Sequence, residues 1–286
     1  MGDGWNGRRR VPPSRIGSAG RALRGALIGL GFISLGVEDP LAAQGPASRL
    51  SATAQGSVPS TGVAPTQDPF TSARQDMVDR QVKQRGIRQP NMLSALEEVP
   101  RHRFVPESVG PLVYRDAPVS FAPGQNLSQV YVSARMISLL NLTGDEKVLE
   151  IGTGSGYDAA LLSRMAKRVY TVEIDSGLGE KARSKLEELG YDNVEVRVGD
   201  GYHGWPDEAP FDAILLTAAP QKVPEPLFQQ LKIGGRMVVA VGYSLHQDLK
   251  VITRTGETER EIKRVNLISL TPMTGEAQDG APPSRY

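Results

Sequence analysis

Three glycines at alternate positions, Gly152, Gly154 and Gly156, close the run VLEIGTGSGY at residues 148–157. The chemistry available to them is binding. Without Cβ atoms a backbone approaches a ligand closely, and the start of a following helix offers unpaired N–H groups to an anion. A dinucleotide turn asks for G-x-G-x-x-G, whereas Tyr157 stands where its third glycine would be. The spacing therefore disfavours NAD and suits a ligand that carries a carboxylate rather than a pyrophosphate. Alone, the pattern is also that of a simple tight turn. Two carboxylates add to it. Glu173 follows about 20 residues after Gly152, at the end of a second strand pattern, where an acidic side chain accepts hydrogen bonds from ribose hydroxyls. Asp200, in VGDGYHGW, ends a third strand pattern and could meet an adenine amino group with the backbone of Gly201. Each has a plainer reading, a solvated strand-end charge for Glu173 and an Asp-Gly turn for Asp200.

Other chemistries are poorly served. The chain has no cysteine, which excludes disulfides, thiolate metal sites and a cysteine nucleophile. His102, His203 and His246 are far apart and none stands in a ligand spacing such as HExxH, so no metal is expected. Lys and Arg number 33 against 32 Asp and Glu, for a net charge of +1. That balance gives no reason to expect a nucleic-acid partner.

The elements that must position these residues follow from periodicity. Strand patterns at 147–151, 169–174, 194–198, 213–217 and 236–241 alternate with helical patterns at 158–166, 179–189 and 224–230. That alternation means βαβ units and a mainly parallel sheet. Two further strand patterns, 248–254 and 261–269, follow without a helix between them and predict an antiparallel finish. Upstream, the pattern changes from Ser72, and Met77, Val78 and Val82 with the charges between them suggest a helix stopped by Gly86; others are expected over 91–98, stopped by Pro100, and over 130–140. Ser128 or Gln129 stands where the N-cap of the last one belongs. Between them, 103–129 carries prolines and glycines too closely spaced for regular elements, although Phe104, Tyr114 and Phe121 argue that it is ordered.

The N-terminus reads differently. Six arginines fall within residues 1–24, an apolar run occupies 25–37, and Ala42 and Ala43 follow. That is the order of a secretory signal, with an imperfect cleavage site because Leu41 replaces a small residue. A disordered extension is the other reading. Residues 45–68 are rich in small and polar residues and read as a flexible linker.

These pieces together resemble the protein-L-isoaspartate O-methyltransferases, which use S-adenosylmethionine. The matching segments are RGI at 85–87, VPRHRFVP at 99–106, YRDAP at 114–118, GQNLS at 124–128, EIGTGSGY at 150–157, GDGYHGW at 199–205, FDAILLTAAP at 211–220 and TPMTGEA at 271–277. The resemblance implies an α/β, Rossmann-like S-adenosylmethionine-dependent methyltransferase fold, its sheet mainly parallel with antiparallel C-terminal strands. It implies methyl transfer to the free carboxylate of L-isoaspartyl or D-aspartyl residues in damaged proteins, the first step of their repair. It assigns Ser128 to the active site as the catalytic residue, and Gln125, Asn126 and Leu127, which line the cofactor and substrate cleft, to cofactor binding. Glu150, Gly152, Gly154, Gly156, Glu173, Asp200, Gly201 and Thr274 fall to the cofactor, Thr274 through a C-terminal segment that folds over the site. Isoaspartyl proteins or peptides are then the substrate, with no metal, no nucleic acid and a monomeric enzyme.

The implied domains are an N-terminal extension at 1–69, a methyltransferase domain at 70–278 and a tail at 279–286. Within the domain, 70–140 is a substrate-side subregion and 141–278 the Rossmann-like core. A cofactor made in the cytoplasm predicts a cytoplasmic enzyme; the signal-like 21–43 predicts export, tethering or transient membrane contact.

The chain departs from the family's pattern at three places. Ser120, Phe121 and Ala122 replace Pro-Ile-Gly, Asn126 replaces a threonine, and Thr271 replaces a valine. All lie on the substrate side, so a relative acting on another carboxylate or a small molecule is the second reading. A non-catalytic isoaspartyl-binding module is the third.

Overall fold

In the computed structural model, residues 68–243 and 247–278 are described. The signal-like 21–43, His246 and the tail at 279–286 lie outside the described residues. Helix α1 (Thr71–Met77) continues through a π-helical turn (Val78–Val82) and a 3-10 turn (Lys83–Arg85) to Gly86. Gly86 takes φ +93°, the left-handed conformation with which glycine ends helices. Helix α2 (Pro90–Glu98) has its proline at the first helical position, where no N–H is missed. Asp68 belongs with this body, since its carboxylate pairs with Arg74 at 2.5 Å and accepts the Phe70 N–H at 2.9 Å.

The segment 103–129 is more regular than its composition suggested. It holds a short antiparallel hairpin, β1 (Val119–Ala122) with β2 (Gln125–Leu127), beyond a 3-10 segment at Glu107–Tyr114. The proline and glycine that argued against regular elements make its turn: Gly124, at φ +71°, is where the chain reverses. Helix α3 (Val130–Leu140) follows directly.

The sheet then forms as the alternation predicts. Its strands are β3 (Lys147–Ile151), β4 (Arg168–Glu173), β5 (Val194–Val198), β6 (Phe211–Leu216), β7 (Leu231–Val241), β8 (Gln247–Arg254) and β9 (Arg260–Ile268). They are ordered β5-β4-β3-β6-β7-β8-β9. The first five are parallel, and β8 and β9 close the sheet antiparallel. Helices α4 (Tyr157–Ser163), α5 (Ser176–Glu188) and α6 (Glu225–Gln229) are the crossovers. Strand β7 begins earlier than 236 because Leu231 already pairs with Phe211, ahead of a register shift.

Alternation along the strands builds two cores. Val148, Val169, Ala213 and Val238 face the layer that contains α1–α4. Leu149, Ile151, Tyr170, Val172, Ile214 and Met237 face the opposite way, onto Leu227 and Phe228 of α6. Glu150 shares the side of Val148 and is completely buried.

Its carboxylate accepts the Thr171 hydroxyl at 2.6 Å. Burial, reinforced by the nearby Asp158, drives its pKa well above the carboxylate range. A carboxyl with a raised folded pKa stabilises the protein most below its unfolded pKa, and that contribution is lost as pH rises toward the folded value. Glu150→Gln keeps an acceptor for Thr171 and removes the ionisation. In urea unfolding the variant should gain on wild type as pH rises above the ordinary carboxylate range, where the unfolded chain ionises and the buried carboxyl does not. A pH-independent difference would contradict this placement of the charge.

Candidate active site

Chain order reverses at β3, with β4 and β5 on one side and β6 and β7 on the other. Open α/β sheets bind ligands beyond the carboxyl ends of the strands at such a point. A cleft opens there. Ile151 and Gly152 contribute from the end of β3, Glu173 from β4, Gly201 from beyond β5, and Thr217 and Ala218 from beyond β6. Phe121, Gln125, Asn126, Leu127 and Ser128 cover one side, and Thr271, Pro272, Met273 and Thr274 the other.

The glycine turn runs through left-handed backbone at Gly152, Gly154 and Gly156, with φ of +101°, +54° and +88°. At Gly152 a Cβ would collide with the Thr217 hydroxyl, which donates to the Gly152 carbonyl at 2.7 Å. Gly154 lies under the Phe121 ring. Gly156 does not line the cleft: it caps α4 and packs against Leu186 and Ala182 of α5. Its glycine is required by that helix contact and by its φ.

Glu173 is 7% exposed and stands in the cleft wall. One carboxylate oxygen accepts the Gly154 N–H at 2.8 Å and the other the Asp175 N–H at 3.1 Å. Each oxygen retains lone pairs for a ligand's hydroxyls. The same side chain thus fixes the glycine turn and presents acceptors to the cleft.

Two other residues assigned to the cofactor are elsewhere. Glu150 lies beneath the cleft, in the core, because the period of the strand turns it to the helical layer. Asp200 is engaged at the rim. Its Oδ1 accepts the Tyr202 N–H and its Oδ2 the Glu276 N–H, both at 2.9 Å. His203 Nε2 lies 2.9 Å from Glu276 Oε1. Asp200, His203 and Glu276 converge within 4.8 Å, a grouping invisible to local spacing, and they join the C-terminal segment to the strand ends. Gly201 does line the cleft, with its Cα side closed by Ile151.

Ser128 lies between β2 and α3. Gln129, not Ser128, is the N-cap of α3, and it makes no side-chain cap bond. The Ser128 hydroxyl has no hydrogen-bond partner among the described residues, while its carbonyl is held firmly. Arg101, fully buried, donates to the Ser128 carbonyl at 2.5 Å and to the Val113 carbonyl at 3.0 Å. Its guanidinium lies over the Tyr157 ring, 4.7 Å from the centroid. Asp158 also enters the cleft wall; burial raises its pKa, and the Ser133 hydroxyl donates to it at 3.1 Å. No local motif assigns Asp158 to the cleft wall or Arg101 to the support of Ser128. Arg101 is the first arginine of VPRHRFVP, a basic cluster set between the apolar Val99-Pro100 and Phe104-Val105-Pro106.

A profile of the protein-L-isoaspartate(D-aspartate) O-methyltransferase family matches residues 72–278. The chain belongs to that family. It is 46% identical over 210 residues to a protein-L-isoaspartate O-methyltransferase of Picosynechococcus sp., covering 73% of this chain and 94% of the relative. It is 53% identical over 175 residues to one from Nitrosospira multiformis, covering 60% and 74% respectively. A solved protein-L-isoaspartate O-methyltransferase superposes with a TM-score of 0.65 at 30% identity, over 71% of this chain and 67% of that one. A Plasmodium falciparum methyltransferase structure in complex with S-adenosyl-L-homocysteine shares the fold. Its TM-score is 0.62 at 20% identity, over 70% and 98% of the two chains.

Within this isoaspartate methyltransferase family member, the departures from the family's pattern are neighbours in space. Ser120 pairs across the hairpin with Asn126, and its hydroxyl donates weakly to the Ala122 and Gln125 carbonyls at 3.3 and 3.4 Å. Thr271 lines the same cleft as Asn126. Among the described residues no helix is long and apolar enough to cross a membrane.

Proposed function

We propose that this protein transfers the methyl group of S-adenosylmethionine to the free carboxylate of L-isoaspartyl and D-aspartyl residues, which starts their repair. One observation carries the assignment of residues: Glu173 and the unpartnered Ser128 hydroxyl stand in walls of one cleft, at the strand ends where this fold binds ligands. The site suits the cofactor. Gly152 and Gly154 leave a cradle that a Cβ would fill or strain, Glu173 offers acceptors to a ribose diol, and Ile151, Val172, Ile174 and Met273 give an apolar wall to an adenine ring. When bound, S-adenosylmethionine supplies a methyl group on an electrophilic sulfonium.

The rest is the work of the chain. A carboxylate is ionised at neutral pH, so the nucleophile needs no strong base. Positioning and removal of water are what catalysis requires. Ser128 donates its hydroxyl hydrogen bond to one carboxylate oxygen and leaves the other free to react. Arg101 holds the Ser128 backbone so that the hydroxyl keeps that direction. The hairpin and residues 271–274 exclude water. Asp200 serves the adenine side through Gly201 and the segment it anchors. Residues 70–140 act as the substrate-side subregion and 141–278 as the cofactor core.

The product is a methyl ester whose loss of methanol gives a succinimide. Mass spectrometry of an isoaspartyl peptide incubated with enzyme and cofactor should show a gain of one methyl, then loss of methanol, then a mixture including normal aspartate. An unmodified peptide would sink the reading.

A further inference from the structure

Asn126, Leu127, Ser128 and Thr271 each line a second cavity, on the far side of the wall they form for the cofactor cleft. This groove lies between Tyr131, Val132 and Arg135 of α3 and Asn266, Leu267 and Ile268 of β9. Its size, about 560 Å³, is within the range of natural ligand sites. No described acidic side chain lines it, and its two charged groups, Arg85 and Arg135, are both cations. Arg85 is already engaged: it pairs with Asp116 at 3.0 Å and lies 3.5 Å above the Tyr131 ring. Arg135 is half-buried and has no ion-pair, aromatic or hydrogen-bond partner among the described residues. A half-buried guanidinium without a partner is a costly arrangement that an incoming anion relieves.

Resting on the proposed function, we infer that this groove holds the stretch of substrate polypeptide flanking the isoaspartyl residue and that Arg135 selects an acidic side chain in it. The dimensions agree. Arg135 follows the start of α3 by about 7.5 Å of helix rise, and an extended peptide advances about 3.3 Å per residue. An isoaspartyl carboxylate at Ser128 therefore places a side chain two or three residues away beside Arg135. Among the described residues strand β9 is the last of the sheet, and an edge strand can pair with an extended chain.

The test uses the full chain and a set of isoaspartyl peptides with glutamate, alanine or lysine two and three residues to either side. On one side of the isoaspartyl, glutamate should give a kcat/KM above that of lysine by roughly fivefold to tenfold, carried by KM and narrowing as salt is added. Arg135→Ala should erase the difference and Arg135→Glu reverse it, while kcat on the alanine peptide stays at the wild-type value. Equal kcat/KM across the flanking charges, or a preference that survives Arg135→Ala, overturns the assignment of the groove and leaves the activity standing. No methylation of any isoaspartyl peptide overturns the activity and the groove's occupant with it.

Discussion

Glu173→Ala should weaken S-adenosylhomocysteine binding by about 10² to 10³-fold, read by titration calorimetry. Two losses add. The first is the pair of hydrogen bonds from ribose hydroxyls to a carboxylate, each worth roughly 1.5–3 kcal/mol as a bond to a charged group. The second is the support of the turn, because the Gly154 N–H and the Asp175 N–H lose the acceptors they have at 2.8 and 3.1 Å. Glu173→Gln separates the two, since its amide oxygen can retain the Gly154 bond while the charge is gone. Its loss should be smaller, about tenfold to thirtyfold. Affinity within a few-fold of wild type for Glu173→Ala would remove the ribose from this position.

Ser128→Ala should lower kcat by about 10 to 100-fold, the value of one hydrogen bond to a charged group. Cofactor affinity should not change, because the proposal gives the hydroxyl to the substrate carboxylate and the cofactor's bonds to Glu173 and the glycine turn. Nor should the melting temperature. Were Ser128 a helix cap, its loss would cost about 1 kcal/mol; Gln129 holds the cap position without a side-chain bond, so the hydroxyl has no such duty. A fall in stability with kcat unchanged would return Ser128 to a structural role.

The parts of the site set by local geometry were legible in the sequence. Gly152 and Gly154 mark a strand-to-turn transition, and Glu173 and Gly201 follow later strands, so their meeting at one sheet edge follows from parallel βαβ order alone. Glu150 lies in the core rather than in the cleft wall for a reason equally local. In VLEI both faces of the strand are apolar, as buried parallel strands are, and the run hides which face carries the carboxylate. Asp200 follows the end of β5 and makes the local turn bond to the Tyr202 N–H, but its second partner is the N–H of Glu276, brought there by the chain beyond β9. No spacing encodes that. Arg101 is the same case: its bonds to the Val113 and Ser128 carbonyls depend on how 101–128 doubles back, and the hairpin that does this is built from the residues that looked least regular. The adjacency of Ser120 and Asn126 likewise appears only once β1 and β2 are paired.

The most direct measurement is incorporation of labelled methyl from S-adenosylmethionine into two peptides that differ only in an L-isoaspartyl or an L-aspartyl linkage. Label should enter the isoaspartyl peptide, in base-labile form, with a kcat/KM at least about 10²-fold above the aspartyl peptide, since only a carboxylate at the correct reach meets Ser128 in the aligned geometry. Equal labelling of the two, or of neither, would contradict the assignment.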